Sequence, residues 1–422
     1  TKEILRRMVE LRAQRAKLFG LSSHAEYVLQ EQTAGHPDRV HAMLRKIAPA
    51  AVANARREAA DIEKIIAQNE EHELASWDWD YYTEQVRAEK YELDTSAMRP
   101  YFELDRVLND GVFFAAEKLY GMKFKYRPDL VTYHPEARAF EVFNEDGSTI
   151  GLYIGDFYTR DSKRGGAWMN SLVDQNHLLG QKPVVVNNMN IPKPPAGEPT
   201  LLTYDETTTL FHEFGHAIHG LLSNVKYPRF SGTSVQRDFV EFPSQVNEMW
   251  ILWPEVLDNY ARHYKTGERL PQAWVDKLNE SSTFNEGHAT TSYLAAAVLD
   301  LAWHSLSDVD SVKDVAEFES KAIADYGLDF EPVPTRYRST YFSHIFAGGY
   351  SAGYYGYIWS EVLDADTVEW FKNNGGLTRA NGNHFRNTLM SRGGSLDSLQ
   401  MFRNFRGRDA DIEPLLRRRG LN

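Results

Sequence analysis

The sequence has no cysteine in its 422 residues. Disulfide bonds and thiol chemistry are therefore excluded, nothing indicates an oxidising compartment, and a cytoplasmic location is expected. Long apolar runs are lacking as well, since none approaches the roughly 18 residues that a membrane-spanning helix needs. The stretch from Thr1 to Met8 has helical periodicity and lacks the apolar segment of a signal peptide. We expect a protein with no membrane partner.

Positive charge is also scarce. The chain has 47 basic and 59 acidic residues, which gives a formal net charge of −12. The short basic run at 417–419 is too small to offset this, so a nucleic-acid partner is not expected. A composition of 42% hydrophobic and 25% charged residues is that of a globular protein with a large core. Composition does not reveal the oligomeric state, and a monomer is favoured.

The most specific pattern in the chain is the pentapeptide His212-Glu213-Phe214-Gly215-His216. Because a helix advances about 3.6 residues per turn, His212 and His216 lie on one face and can hold a single zinc ion. In this motif the glutamate, here Glu213, acts as general base beside the metal without being a ligand. Apolar residues at helical spacing from 210 to 222 predict that the motif lies on a buried amphipathic helix.

Two histidines leave a four-coordinate zinc ion one protein ligand short, and sites of this type take a downstream glutamate. Glu241 is the predicted third ligand, because it follows His216 by 25 residues, after a turn-like segment and in a run that reads as the opening of a second helix. His219 is the rival ligand, but it lies roughly 10 Å along the helix axis from His212. One zinc ion per chain is expected.

Glu248 is a candidate partner for one of these ligands. It follows Glu241 by seven residues and so shares its helical face. A ligating histidine usually donates its second N–H to a carboxylate or carbonyl oxygen, and Glu248 could accept that bond. Plain surface charge is the alternative.

A segment rich in glycine and tyrosine runs from His344 to Tyr357. Glycines let the backbone approach a ligand closely, while phenols and an imidazole offer hydrogen-bond donors to a peptide carbonyl or an oxyanion. Tyr350, Tyr354 and Tyr357 stand at i, i+4 and i+7, a spacing that is also typical of a helix packed in a core. The spacing alone favours packing, whereas the zinc motif favours a role in binding.

Helical periodicity covers most of the chain, over residues 2–19, 39–73, 254–330, 358–375 and 378–419. Strand-like segments from 121 to 158, with a turn at Asp146-Gly147, predict a small β-meander. Its edge could pair with an extended peptide, or the sheet could be a structural cap, and 160–203 reads as irregular. The predicted fold is mainly α, with a small β-sheet beside the zinc-binding helix. An N-terminal helical region, 1–120, and a catalytic region, 121–422, are expected to form one contiguous unit.

Several motifs together resemble one family. The pentapeptide at 212–216, Phe-Val-Glu-Phe-Pro-Ser-Gln at 239–245, Ser-Lys-Arg-Gly-Gly-Ala-Trp at 162–168 and the glycine- and tyrosine-rich segment look like those of the thimet oligopeptidase and dipeptidyl carboxypeptidase family of zinc metallopeptidases. The resemblance runs from about residue 1 to the C-terminus. It is greater to the bacterial dipeptidyl carboxypeptidases, because Tyr350 follows His344 by six positions, where the thimet-like oligopeptidases typically have one fewer.

The resemblance implies a multi-helical zincin-type fold and a peptidase that releases C-terminal dipeptides from short peptides. It makes His212, His216 and Glu241 the ligands of Zn²⁺ and Glu213 the general base and acid. The residues that it assigns to substrate binding or to stabilising the transition state are His344, Tyr350 and Tyr357, with Tyr354 as a weaker carry-over.

Arg237, four residues before Glu241, is a further weak carry-over, which either orients the site by a hydrogen bond to a ligand or substrate or forms a surface ion pair. An endo-acting oligopeptidase stays open as an alternative function, although Arg336, Arg338 and His344 are available to hold a free substrate carboxylate. A truncated, inactive peptide-binding scaffold is the other alternative. Family members usually carry a further N-terminal helical region that walls the substrate channel, so we expect this sequence to be a fragment or a short form.

Overall fold

A computed structural model describes residues 1–69, 72–91 and 95–421. Helices dominate these residues, and a small sheet packs against the helix that carries His212 and His216. The predicted mainly α class with a small sheet beside that helix is confirmed.

Most of the chain before the sheet is helical. Its elements are α1 (Lys2–Leu18), α2 (His24–Leu29), α3 (Pro37–Asn69), α4 (Trp79–Tyr91), the 3₁₀ segment Thr95–Tyr101, α5 (Leu104–Arg106), the π-helical segment Val107–Phe113 and α6 (Phe114–Tyr120). Helix α3 begins two residues earlier than its periodicity predicts, at Pro37, because the fixed backbone angle of proline suits the first turn of a helix. The prediction that this helix continues to 73 was wrong, since residues 72–75 are not helical; residues 70 and 71 lie outside the described residues.

Five strands form one mixed sheet in the described residues. They are β1 (Lys123–Tyr126), β2 (Arg138–Phe143), β3 (Thr149–Tyr158), β4 (Trp168–Val173) and β5 (Val184–Ile191), in the order β1-β2-β3-β5-β4. The first three run antiparallel, and Gly147 in the β2–β3 turn has a positive φ of 82° that suits glycine. Strand β5 pairs parallel to β3, and β4 pairs antiparallel to β5 at the edge.

The sequence prediction of an irregular stretch over 160–203 was wrong for β4 and β5. Strand β5 carries Asn187, Asn188 and Asn190, residues that are rare in strands and that hide the pattern begun by the valines at 184–186. Its parallel pairing with β3 is not local in sequence, so no short-range signal marks it.

The rest of the chain returns to helices, which are shorter than the predicted blocks. They are α7 (Tyr204–Leu221), a 3₁₀ turn (Pro228–Phe230), α8 (Phe242–Glu248), α9 (Pro254–Tyr260), α10 (Gln272–Glu280), a 3₁₀ turn (Ser281–Thr283), α11 (Glu286–His304), a 3₁₀ turn (Val309–Ser311), α12 (Val315–Ala324), a 3₁₀ turn (Ser339–Tyr341), α13 (Ser343–Phe346), α14 (Gly356–Asn373), α15 (Arg379–Phe385), a π-helical segment (Arg386–Met390), a 3₁₀ turn (Gly393–Ser395), α16 (Ser398–Arg406) and α17 (Glu413–Arg418). No helix in the described part of the chain is both long and apolar enough to cross a membrane.

Helix α7 packs directly on the sheet. Phe214 is fully buried and meets Tyr153 of β3 edge to face, with ring centroids 5.3 Å apart. A Cβ at Gly220 would come within 2.8 Å of the Met169 side chain and 2.9 Å of the Val185 side chain, so this glycine allows the close approach of helix to sheet. The sheet is therefore the floor on which the zinc-motif helix is fixed.

Candidate active site

The start of α7 is fixed by a reciprocal cap. The Thr203 hydroxyl accepts a hydrogen bond from the Glu206 backbone N–H at 3.0 Å, and the Glu206 carboxylate accepts one from the Thr203 N–H at 2.8 Å. Because the helix runs unbroken from there, His212 and His216 stand one turn apart with ring centroids 5.1 Å from each other. The predicted helix and the shared face of the two histidines are present.

Gly215 explains how α8 reaches this face. A Cβ at residue 215 would lie 2.6 Å from the Ser244 Cα and 3.0 Å from the Pro243 carbonyl oxygen, so any side chain there would push the two helices apart. The Asn247 side-chain amide donates to the Phe211 carbonyl at 2.6 Å and ties α8 to α7. The close contact brings the N-terminus of α8, where Glu241 lies, beside the histidines.

Helix α8 is shorter than the predicted second helix over 237–250, since it begins only at Phe242. Pro243 lies in its first turn, where proline is tolerated, and the residues before it are held by tertiary contacts instead. The buried Asp238 carboxylate accepts the backbone N–H groups of Thr33 at 3.0 Å and Ala34 at 2.9 Å. The segment that leads to Glu241 is thus anchored to the α2–α3 turn.

Two imidazoles and one carboxylate converge at this point. Glu241 Oε2 lies 3.3 Å from His212 Nε2 and 3.1 Å from His216 Nε2, and the three ligand atoms all lie within 4.8 Å of one another. The side chains are 22%, 12% and 8% exposed for His212, His216 and Glu241, so the cluster is shielded but open on one side. Burial opposes ionisation, but the two histidines outweigh it and hold the pKa of Glu241 well below its usual value.

This donor set fits a metal ion. Two nitrogens and one carboxylate oxygen on one side, with the opposite side open, is the arrangement of catalytic sites that keep a position for substrate. His219, the rival ligand, is not part of the cluster, since it is fully buried and neither ring nitrogen has a hydrogen-bond partner in the described residues. Burial lowers the pKa of His219 to about 3, so it stays neutral.

Glu248 lies where the sequence places a partner for a ligand. Its Oε1 accepts a hydrogen bond from His212 Nδ1 at 2.6 Å. A proton on Nδ1 leaves the lone pair of His212 Nε2 directed at the cluster, which is the tautomer that metal binding requires.

Glu213 lies beside the ligand cluster without joining it. Its side chain is 6% exposed, and its Oε2 is buried without a hydrogen-bond partner in the described residues. The Asn187 amide of β5 donates to the Glu213 backbone carbonyl at 2.7 Å and fixes this turn of α7 on the sheet. Burial raises the pKa of the Glu213 carboxyl, which suits a group that must both take and return a proton.

A cavity of about 900 Å³ opens over this cluster. The glycine- and tyrosine-rich segment forms one of its walls through His344, Tyr350 and Tyr357. The Tyr350 hydroxyl donates to Glu241 Oε1 at 3.0 Å, and its ring stacks on that of Tyr357 with centroids 5.3 Å apart. Three of the predicted donors therefore line the cavity that also holds the ligand cluster.

The tyrosine stripe predicted from spacing is not one helix. Tyr350 and Tyr354 lie in the irregular stretch between α13 and α14, and Tyr357 lies in the first turn of α14. Tyr354 is 3% exposed, is not among the residues that line the cavity, and packs edge to face on Phe342 with centroids 4.9 Å apart. Its assigned part in substrate binding stays a prediction.

The candidate cations differ in their engagement. Arg338 forms an ion pair with Glu319 at 2.5 Å. Arg237 lines the cavity with its guanidinium 5.0 Å from the centre of the Tyr350 ring, and Arg164 lines it above the Trp168 ring at 4.5 Å. Among the described residues, the two guanidinium groups contact these rings and have no carboxylate partner. Arg237 and Arg164 are thus free to meet an anionic group in the cavity.

One wall of the cavity was not assigned from sequence. Residues 164–169, including the first residues of edge strand β4, line it together with the tyrosines. The buried Lys163 ammonium ties this loop down by donating to the Asp156 carboxylate at 2.9 Å and to the Met189 carbonyl at 2.8 Å. The available signal was the Lys-Arg-Gly-Gly run itself, which contributed to the family resemblance but was not read as part of the site.

The order and spacing of these groups match a known family over the whole chain. The profile of Peptidase family M3 matches residues 1–421. This chain belongs to that family. Membership in family M3 implies a bound metal ion, and His212, His216 and Glu241 are the described residues that converge to hold one.

Individual relatives of this M3 chain agree with that assignment. It is 46% identical to dipeptidyl carboxypeptidase of Escherichia coli (strain K12) over 423 residues, which cover 100% of this chain and 62% of that protein. It is 34% identical to oligopeptidase A of the same organism, covering 99% of this chain and 62% of that protein. This chain therefore spans about three fifths of the length of these relatives.

The fold is also shared with a solved structure. Metallocarboxypeptidase 1 of Trypanosoma cruzi superimposes with a TM-score of 0.55 at 11% identity, covering 99% of this chain and 77% of that one. At this identity the likeness supports the zincin-type fold alone.

Proposed function

We propose that this chain is a zinc metallopeptidase that releases dipeptides from the free C-termini of short peptides. The observation that carries the proposal is the convergence of His212, His216 and Glu241 beside an unpartnered, buried Glu213 in one open cavity. Similarity to a dipeptidyl carboxypeptidase supports the choice of reaction. The donor set of two imidazoles and one carboxylate supports zinc.

The chain's own residues supply proton transfer and charge stabilisation. A zinc ion held by the three ligands would lower the pKa of a water molecule and polarise the scissile carbonyl. Glu213, which lies on α7, takes the proton from the attacking water and then returns it to the leaving amine. Tyr357 and His344, which line the same cavity, donate hydrogen bonds to the oxygen that gains negative charge. Burial raises the pKa of Tyr357, which keeps its phenol protonated and able to donate.

The cavity walls support binding of an extended peptide. Strand β4 is an edge strand that pairs only with β5 among the described residues, so its other side is available to a substrate backbone. Trp168 and Met169 at its start line the same cavity as Glu213. Short peptides are thus the proposed partners; the predicted cytoplasmic location and monomeric state stay predictions.

Cleavage of matched peptides distinguishes the proposal from its alternatives. We expect zinc-dependent loss of dipeptides, detected by mass spectrometry, from peptides with a free C-terminus and none from the same peptides with an amidated C-terminus. The reason is that Arg237 and Arg164 offer unpaired positive charge in the cavity to a terminal carboxylate. Internal cuts in amidated peptides would support the endo-acting oligopeptidase instead. Zinc binding without any cleavage would support the inactive scaffold.

Replacing Glu248 tests the support of the zinc ligand. We expect Glu248→Ala to lower zinc affinity or turnover by about 10- to 100-fold, because His212 Nδ1 loses the acceptor that fixes its tautomer. Zinc titration and peptide assays measure the two effects separately. The control is Glu255→Ala, which removes an exposed glutamate whose partner is Lys118 on the surface. If Glu248→Ala has the same zinc affinity and turnover as Glu255→Ala, Glu248 does not support the zinc ligand His212.

A further inference from the structure

Asp300 lies on α11, a helix whose buried residues are mostly apolar, and its carboxylate is fully buried. A buried charge needs several hydrogen bonds to be tolerated, and Asp300 receives them from one short stretch of backbone. Its Oδ1 accepts the N–H of Ala352 at 2.8 Å, and its Oδ2 accepts those of Gly353 and Tyr354, both at 2.9 Å. Three successive amides therefore point at a single side chain.

The backbone at this point has an unusual conformation. Ala352 has a φ of 53°, in the left-handed region that residues with a Cβ rarely adopt. Such a conformation persists where the surrounding structure holds it. The three backbone N–H groups that donate to Asp300 form the concave arrangement that typically binds an anion. Ala352 itself is fully buried.

A second set of contacts holds Asp300 from behind. His304 Nδ1 donates to Asp300 Oδ1 at 2.7 Å, and His304 Nε2 accepts from the Arg12 guanidinium at 2.7 Å. These two bonds require one tautomer of a neutral imidazole, with its proton on Nδ1. Arg12, on α1, also donates to the Ile345 carbonyl at 2.9 Å, next to His344. Arg12 thereby links helix α1 directly to Ile345 and, through His304 and Asp300, to residues 352–354.

The backbone that Asp300 holds lies between Tyr350 and Tyr357, which line the cavity together with the predicted metal ligands. Tyr350 lies two residues before Ala352 and donates to Glu241, while Tyr357 lies three residues after Tyr354 and stacks on Tyr350. A displacement at 352–354 would therefore move both phenols relative to Glu213. An error of about 1 Å in the position of a catalytic group can reduce turnover by about 100-fold.

We propose that Asp300, held by His304 and Arg12, is the positioning residue that fixes residues 350–357. In this role it holds Tyr350 and Tyr357 in place beside the cluster of predicted metal ligands. This rests on the proposed function for its effect on turnover, but not for its effect on the backbone. Asp300 is fully buried and does not line the cavity, so we assign it no contact with substrate. Its role is to set the shape of the wall.

The test uses Asp300→Asn, which keeps the size of the side chain but removes its charge and turns an amide N–H₂ towards the backbone N–H groups. We expect kcat per folded molecule to fall by at least about tenfold, with zinc stoichiometry unchanged and KM changed less than kcat. Hydrogen exchange followed by mass spectrometry should show faster exchange of the amides at 352–354. Arg12→Met, which removes both hydrogen bonds of Arg12 Nη1, should give the same changes at smaller size and serves if Asp300→Asn folds poorly.

Glu58 provides the matched control. Its carboxylate accepts the N–H groups of Gly287 and His288, both at 2.8 Å, at the other end of α11, and it does not line the cavity. We expect Glu58→Gln to disturb the same helix but to leave kcat per folded molecule and exchange at 352–354 unchanged.

Two results would overturn the proposal: unchanged exchange at 352–354 in Asp300→Asn, or an equal loss of kcat per folded molecule in Glu58→Gln. If the unsubstituted chain binds zinc but cleaves no peptide, the proposed function fails by itself. The exchange comparison between the two variants then still decides whether Asp300 holds the stretch.

Discussion

Glu213→Gln is expected to reduce peptide turnover by about 100- to 10,000-fold while the protein still binds one zinc ion. The reason is that Glu213 lines the cavity that holds the ligand cluster and its buried Oε2 has no hydrogen-bond partner in the described residues, so no structural contact occupies that oxygen. An amide of the same size cannot accept the proton of the attacking water. The peptide assay measures turnover, and atomic emission or a zinc-sensitive dye measures the metal.

Glu206→Gln is the matched control for that change. It lies on the same helix and has the same chemistry, but its carboxylate only closes the cap with Thr203, and glutamine closes such a cap equally well. We expect wild-type turnover in Glu206→Gln. If Glu213→Gln keeps more than about a tenth of the turnover while Glu206→Gln keeps all of it, Glu213 is not the general base.

The parts of the site that are local in sequence could be predicted. His212, Glu213 and His216 fall within one and a half turns of one helix, so helical geometry alone brings them together. Glu248 was placed by its seven-residue spacing from Glu241, and its contact with His212 exists, although Glu241 lies at the cap and not inside the helix. The spacing still puts Glu241 and Glu248 on one side, because helix α8 begins at Phe242, the residue after Glu241.

The parts that depend on contacts between distant segments could not be predicted. Strand β5 is specified by its parallel partner β3 and by its place under α7, which no short window of sequence contains. Asp300 looks like an ordinary acid in a helix, because apart from His304 its partners are backbone N–H groups about 50 residues away that leave no trace in side-chain identity. Gly215 is the intermediate case, since its presence in the motif was visible but its cause, the approach of Ser244, was not.

Glu241→Ala is expected to abolish both zinc binding and turnover. Glu241 is the only carboxylate in the described ligand cluster, and its other oxygen accepts the Tyr350 hydroxyl, so the change removes a ligand and releases one wall of the cavity. Two neutral imidazoles without an anion are a poor site for a divalent ion. Dialysis against zinc followed by metal analysis should give about one zinc ion per chain for the wild type and close to none for the variant.

Thermal unfolding gives a readout of the same change that does not depend on activity. Zinc at about 1,000 times its dissociation constant stabilises the folded chain by about 4 kcal/mol. For a chain of this length that corresponds to a rise in Tm of about 4 to 5 °C. The wild type and Glu213→Gln should both show the rise, because both keep the three ligands, and Glu241→Ala should not. A zinc-dependent rise that persists in Glu241→Ala would mean that the third ligand lies elsewhere, with Glu248, the other carboxylate in contact with His212, as the first residue to replace.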